Sequence, residues 1–192
     1  MGWKVCYSNS KGENILMMFT ETNLQGSFII DLEKINDERG YFTRVWDKKE
    51  FEDKGLDVNL SQCSISYNKK QGTLRGMHYQ ICPYEEVKIV QCIQGSIFDV
   101  IIDLRKNSKT CYKWFGIELS ENSYKCLYIP KGFAHGFETL EDNTKILYQM
   151  SGEYNPKYAK GICWDDKFFQ INWPLTPTIM SKRDQKYKKL VI

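Results

Sequence analysis

Two histidines are the side chains in this 192-residue chain best suited to moving protons near neutral pH. His78 sits in Gly72-Thr73-Leu74-Arg75-Gly76-Met77-His78-Tyr79-Gln80, and His135 in Ile129-Pro130-Lys131-Gly132-Phe133-Ala134-His135-Gly136-Phe137. The first run has a period close to two. It predicts a strand with Leu74, Gly76, His78 and Gln80 on one face and Arg75, Met77 and Tyr79 on the other. Glycine inside a strand marks a bulge or a close backbone approach, so the alternation is open to a slip that would let Arg75 and His78 serve one cavity. The second run is an apolar turn bracketed by Pro and Gly, where a polar ring needs a partner. Taken alone, either histidine is more often a core residue held by a hydrogen bond than a catalytic one.

The elements that must position these rings are short. Residues 1 to 26 are polar and unpatterned apart from Ile15 to Phe19 and read as an extension, adding an edge strand or packing on a partner. Ser27 to Leu32 is a first strand, and Asp37 to Gly40 turns the chain into Tyr41 to Trp46. Asp47 is placed to cap a short helix over 48–54 that Gly55 would end. Beyond residue 60, β-rich runs alternate with turn signals: 60–67, the His78 strand, 87–94, a Gln94-Gly95-Ser96 hairpin turn into 97–104, then 112–119, 125–129, 135–140 and 145–150. Such spacing predicts one all-β domain over 27–192, a sandwich, jelly roll or barrel.

Composition narrows the chemistry. A net charge of +3 with no long basic run beyond Lys182-Arg183 and 186–189 argues against nucleic acid as the main partner and suits a small anionic substrate. No apolar run reaches membrane-spanning length and no signal peptide is evident, so the expectation is a soluble, cytoplasmic protein without a membrane partner. Seven cysteines with no Cys-x-x-Cys pair read as reduced thiols.

Gly72-x5-His78 and Pro130-x-Gly132-x-x-His135 resemble the two halves of the cupin metal-site pattern. In metal-binding cupins a second histidine follows two residues after the first, and here that place holds Gln80. Two histidines with Glu85 or Glu86 would still make a two-His, one-carboxylate site.

A more specific resemblance runs through Gly72 to Gln80, Lys88-Ile89-Val90, Phe98-Asp99-Val100, Asp103-Leu104-Arg105, Gly132 to Phe137, Trp164-Asp165-Asp166, Ile171-Asn172-Trp173-Pro174 and Ser181-Lys182-Arg183-Asp184. In order, over roughly residues 27 to 187, these runs resemble the dTDP-4-dehydrorhamnose 3,5-epimerase family. The resemblance implies a metal-free cupin jelly roll with a few short helices, usually a homodimer, acting without a cofactor on a nucleotide-linked 4-keto-6-deoxyhexose and inverting C3 and C5. It implies that His78 is the base, Asp184 the carboxylate that orients it, Lys88 the cation near the enolate oxygen and Tyr148 the acid on the opposite face. Without it, Tyr148 would read as a core or surface aromatic, and Lys88 and Asp184 as surface charge.

Arg75 and His135 match positions lining the sugar and diphosphate. Arg39, Gln62 and Arg183 match nucleotide or phosphate contacts, and Tyr154 matches the aromatic that stacks on the base. Three places depart from the pattern: Arg44 for a usual Glu, Ser64 for a usual Asn at a binding position, and Ala159 for a carboxylate. The departures keep open an epimerase of one carbon only, or of a CDP- or GDP-linked sugar. A jelly roll that binds sugar without catalysis is the reading from another class, and it would not need an acid and a base on opposite faces. A dimer is expected in which the 28–46 region crosses to the partner and Arg39 serves the neighbour's site.

Overall fold

The computed structural model describes residues 17–57 and 59–190; Cys6 and most of the N-terminal extension lie outside them. Two antiparallel sheets face each other. The first contains β1 (Met17–Glu21), β2 (Phe28–Leu32), β10 (Lys125–Ile129), β7 (Lys88–Gln94), β12 (Thr144–Met150) and β5 (Gln62–Asn68), in that order. The second runs β13 (Ala159–Gly161), β6 (Thr73–Gln80), β11 (Phe133–Thr139), β8 (Ser96–Asp103) and β9 (Trp114–Ser120), with β14 (Ile179–Met180) parallel to β6. From β5 to β8 successive strands alternate between the sheets. This is a jelly roll of the cupin type, as the sequence resemblance implied. β1, which takes in Met17 to Phe19, is an edge strand on β2.

The side chains facing inward from both sheets, among them Val90, Ile97, Ile101, Leu127, Phe133, Phe137 and Ile146, form the central core. Both outer faces are also covered in part. Phe51 of helix α1 (Lys48–Asp53) packs with Ile30, Ile89 and Tyr128 on the first sheet. Ile162, Phe169, Ile171 and Trp173 pack on Met77, Val100 and Ile102 of the second. β8 is therefore buried on both sides, which is why its sequence reads as an almost continuous apolar run.

The helix forms as its local sequence dictates. Asp47 Oδ1 accepts the Glu50 amide, and Gly55 takes the left-handed conformation (φ +70°) just beyond the C-cap. Asp37 and Gly40 close a small hairpin of β3 (Lys34–Asp37) and β4 (Gly40–Thr43). One turn differs from expectation. Gln94-Gly95-Ser96 does not close a hairpin, because β7 pairs with β10 and β12 while β8 pairs with β11 and β9. Gly95 (φ +74°) instead carries the chain across a corner from one sheet to the other, pressed so close to Thr144 that a Cβ would lie 2.6 Å from its hydroxyl.

Candidate active site

The facing sheets enclose a cavity of about 220 Å³, with His78 and His135 on one wall and Lys88 and Tyr148 on the other. The two histidines are direct cross-strand partners on β6 and β11. Arg75 and His78, three residues apart, lie opposite Phe137 and His135, two apart. That extra residue is a bulge, and it turns Arg75 and His78 to the same face. Glycine is required on both strands here. A Cβ at Gly76 (φ +143°) would sit 2.5 Å from Gly136 Cα, and one at Gly136 would sit 2.6 Å from Met77 Sδ.

Each ring is backed by an aspartate. Asp184 Oδ1 lies 2.7 Å from His78 Nε2 and Asp99 Oδ1 lies 2.6 Å from His135 Nε2. With Asp184 ionised, Nε2 of a neutral His78 carries the proton and donates it to that oxygen, which leaves the lone pair on Nδ1. Asp184 reaches the ring from the C-terminal strap. β14 pairs with β6, the Ser181 hydroxyl accepts the Asp184 amide, and a 3-10 turn (Asp184–Lys186) presents the carboxylate. Burial would raise the Asp184 pKa, but hydrogen bonds from His78 and the Gly76 amide, with Ser181, hold it below the ordinary 3.8. Burial is the largest influence on His78 and pushes it below 6.5. Asp184 pulls the other way, while Lys88 and Arg183, whose Nη2 is 3.4 Å from Nε2, add to the depression. The result is a neutral imidazole poised as a base.

Across the cavity Tyr148 is pushed well above 10, first by burial and then by the charge of Asp99, against a smaller pull from Arg75. It keeps its proton and is available as an acid. Its ring lies 5.9 Å from that of His135. Lys88, only 9% exposed, reaches Glu86 Oε1 at 3.3 Å. The other Glu86 oxygen accepts from Gln80. Glu86, one of the two carboxylates a metal site would draw on, is thus engaged by a lysine and an amide, and no three His, Cys, Asp or Glu side chains among the described residues, Glu85 included, form a group that could hold a metal ion.

Ser64, Tyr154 and Arg183 line the same cavity, and Arg183 Nη1 lies 3.5 Å from the Tyr154 hydroxyl. Arg75 stands outside the lining, bonded through Nε to Asn68 at 2.7 Å. Gln62 lies two residues along β5 from Ser64, opposite Met150, and does not line the cavity. Arg39 is exposed on the β3–β4 turn, where it pairs with Asp37. Of the three departures, Arg44 pairs with the helix-capping Asp47, whereas Ser64 and Ala159 line the cavity. The structure adds residues that the sequence left without a role, Asp99, Gln80, Lys160 and Tyr187, and places Glu86 against Lys88 and Gln80. A lone carboxylate inside the apolar run of β8 was the available signal for Asp99. Tyr187 offers none locally, since it meets His78 edge-on (5.8 Å between centroids) only through the fold.

A family model described as dTDP-4-dehydrorhamnose 3,5-epimerase matches residues 21–191. A relative of that name from Methanothermobacter thermautotrophicus is 41% identical over 175 residues, which is 90% of this chain and 94% of its own. The crystal structure of the Bacillus anthracis enzyme of that name, with TDP and PPi bound, is 38% identical with a TM-score of 0.88, covering 91% and 99% of the two chains. The Legionella pneumophila dTDP-6-deoxy-D-glucose-3,5-epimerase in complex with dTDP-4-keto-L-rhamnose is 32% identical with a TM-score of 0.85, covering 90% and 92%.

Proposed function

The chain belongs to the dTDP-4-dehydrorhamnose 3,5-epimerase family, and we propose that its cavity inverts C3 and C5 of a dTDP-linked 4-keto-6-deoxyhexose by the following division of labour. A hydrogen α to a ketone is removable only when the enolate that forms is stabilised. His78 Nδ1 takes that proton, and Asp184 steadies the imidazolium. Lys88 places its ammonium beside the developing enolate oxygen. Tyr148, on the opposite wall, returns a proton to the other face. Arg183 and Tyr154 hold the nucleotide end, where a guanidinium suits diphosphate and an exposed ring offers a stacking surface.

The observation that carries this reading is the pairing of a His78 kept neutral with a Tyr148 kept protonated across one cavity. Incubating the protein with dTDP-4-keto-6-deoxyglucose in deuterated water and locating the label by NMR tests it. Label at both C3 and C5 is expected. Label at one carbon selects a single-centre epimerase, and none directs the same experiment to CDP- and GDP-linked sugars.

The protein acts in this reading as a homodimer in the cytoplasm, where its six described cysteines, all free, stay reduced. Exposed Tyr41 and Phe42 on the β3–β4 hairpin supply apolar surface for the partner and carry Arg39 towards its site. A monomer by light scattering at micromolar concentration refutes this assembly.

A further inference from the structure

Gln80 lines the cavity but is only 5% exposed, and its amide joins two separate segments, 84–86 and 153–155. Its nitrogen donates to Tyr84 O at 3.0 Å, Glu86 Oε2 at 3.0 Å and Glu153 O at 3.1 Å, while its oxygen accepts the Asn155 amide at 2.8 Å. Three acceptors share two amide protons, so a shift of either segment redistributes the bonds to the other. Two of these contacts lead to opposite ends of the substrate. Glu86 pairs with Lys88. Glu153 and Asn155 flank Tyr154, at the nucleotide end. The two segments also touch directly: Val87 and Ser151 exchange hydrogen bonds, and a Cβ on Gly152 would lie 2.9 Å from Glu86 Cβ.

We propose that Gln80 is a positioning residue that couples occupancy of the Tyr154 end of the cavity to the placement of Lys88, through Glu153 and Asn155 on one side and Glu86 on the other. The proposal rests on the functional reading above and specifies how binding of the non-reacting nucleotide contributes to the chemical step. Interactions remote from the reacting carbon raise turnover only if they are transmitted to the transition state. A buried amide bonded to both segments is a short path for that. A nucleotide that fixes Tyr154 fixes Glu153 and Asn155, hence Gln80, hence the carboxylate that holds the lysine. The position beside His78 that holds a metal-ligating histidine in metal-binding cupins is thereby used for hydrogen bonding alone.

The test is a pair of double-mutant cycles on the full chain, reading kcat with dTDP-4-keto-6-deoxyglucose and, independently, dTDP affinity by calorimetry. Gln80→Leu keeps the volume and removes the bonds. It is expected to lower kcat about 10- to 100-fold, the scale of a small misplacement of a catalytic group. It should also weaken dTDP binding. Tyr154→Ala lowers both kcat and affinity in the unsubstituted protein, but in the Gln80→Leu background it lowers affinity alone. Glu86→Gln likewise adds little to the loss of kcat already caused by Gln80→Leu. Should the Leu variant not fold, Gln80→Asn, a methylene too short to reach all four partners, carries the same cycles. Additive effects on kcat within about twofold overturn the proposal. So does a Gln80 variant with normal kcat. Failure of the functional reading would look different, since the unsubstituted protein would then bind dTDP without turnover.

Discussion

At the scale of single residues, the acid limb of the pH–rate profile reports on His78. Burial, Lys88 and Arg183 depress its pKa below 6.5, so the neutral base persists to lower pH and the fall in kcat/KM lies below pH 6.5. Asp184 opposes that depression. Asp184→Asn is therefore expected to move the limb to still lower pH, while reducing kcat about 10²- to 10⁴-fold because the imidazolium loses its counter-charge. A limb that stays in place or rises would show that another group titrates. His78→Asn should abolish deuterium wash-in at both carbons yet leave dTDP affinity nearly intact, as calorimetry would show. Tyr148→Phe removes the returning acid while leaving the base, and a loss of about 10²- to 10⁴-fold in product formation is expected. Exchange of deuterium at one carbon should persist in that variant, and its disappearance would place Tyr148 in proton abstraction instead.

At the scale of elements, the bulge at Gly76 and its partner Gly136 decide whether the histidine wall exists. A methyl at Gly136 would meet Met77 Sδ at 2.6 Å and the Arg75 carbonyl at 2.8 Å. Gly136→Ala must therefore push β6 from β11, at a cost of about 1–3 kcal/mol in denaturant unfolding and with loss of turnover. Unchanged stability and activity would show that the strands have slack. The glycines of the His78 strand made the bulge legible, but the single cavity they suggested for Arg75 and His78 does not form, since Arg75 stands outside the lining and bonds Asn68. The sequence did not reveal Gly95 as a corner between sheets, because a glycine turn between apolar runs looks alike whether the runs pair or separate. His78 and Asp184 could be joined only through motif resemblance, being over a hundred residues apart. Asp99 and Gln80 had recognisable settings but no local sign of their partners. Both acquire their roles from strands and loops that meet them in space.

At the scale of the whole molecule, these ionisations should make the fold sensitive to acid in two separate windows. The lower one is led by Asp103, fully buried beneath the Arg105 turn, with Asp184, also held below 3.8, contributing beside it. Burial alone would raise the Asp103 pKa, but the Arg105 guanidinium and the Ser108 and Thr110 hydroxyls hold it at about 2, against an ordinary 3.8. A depressed carboxylate contributes stability above its unfolded pKa and loses it as pH falls towards the folded value. Asp103 therefore supplies about 2 kcal/mol that disappears between roughly pH 4 and pH 2. The higher window belongs to His78. Its folded pKa is also depressed, so the unfolded chain takes up its proton first and stability declines once pH drops below about 6.5. Urea unfolding as a function of pH should show both declines. His78→Asn should erase the upper one and leave the Asp103 part of the lower, whereas Asp103→Asn should lower stability at pH 7 and reduce the lower decline. The same burial that keeps the base neutral for catalysis thus makes the folded state oppose its protonation. A His78→Asn protein that retained the upper decline would break that link between the chemistry of the cavity and the stability of the barrel.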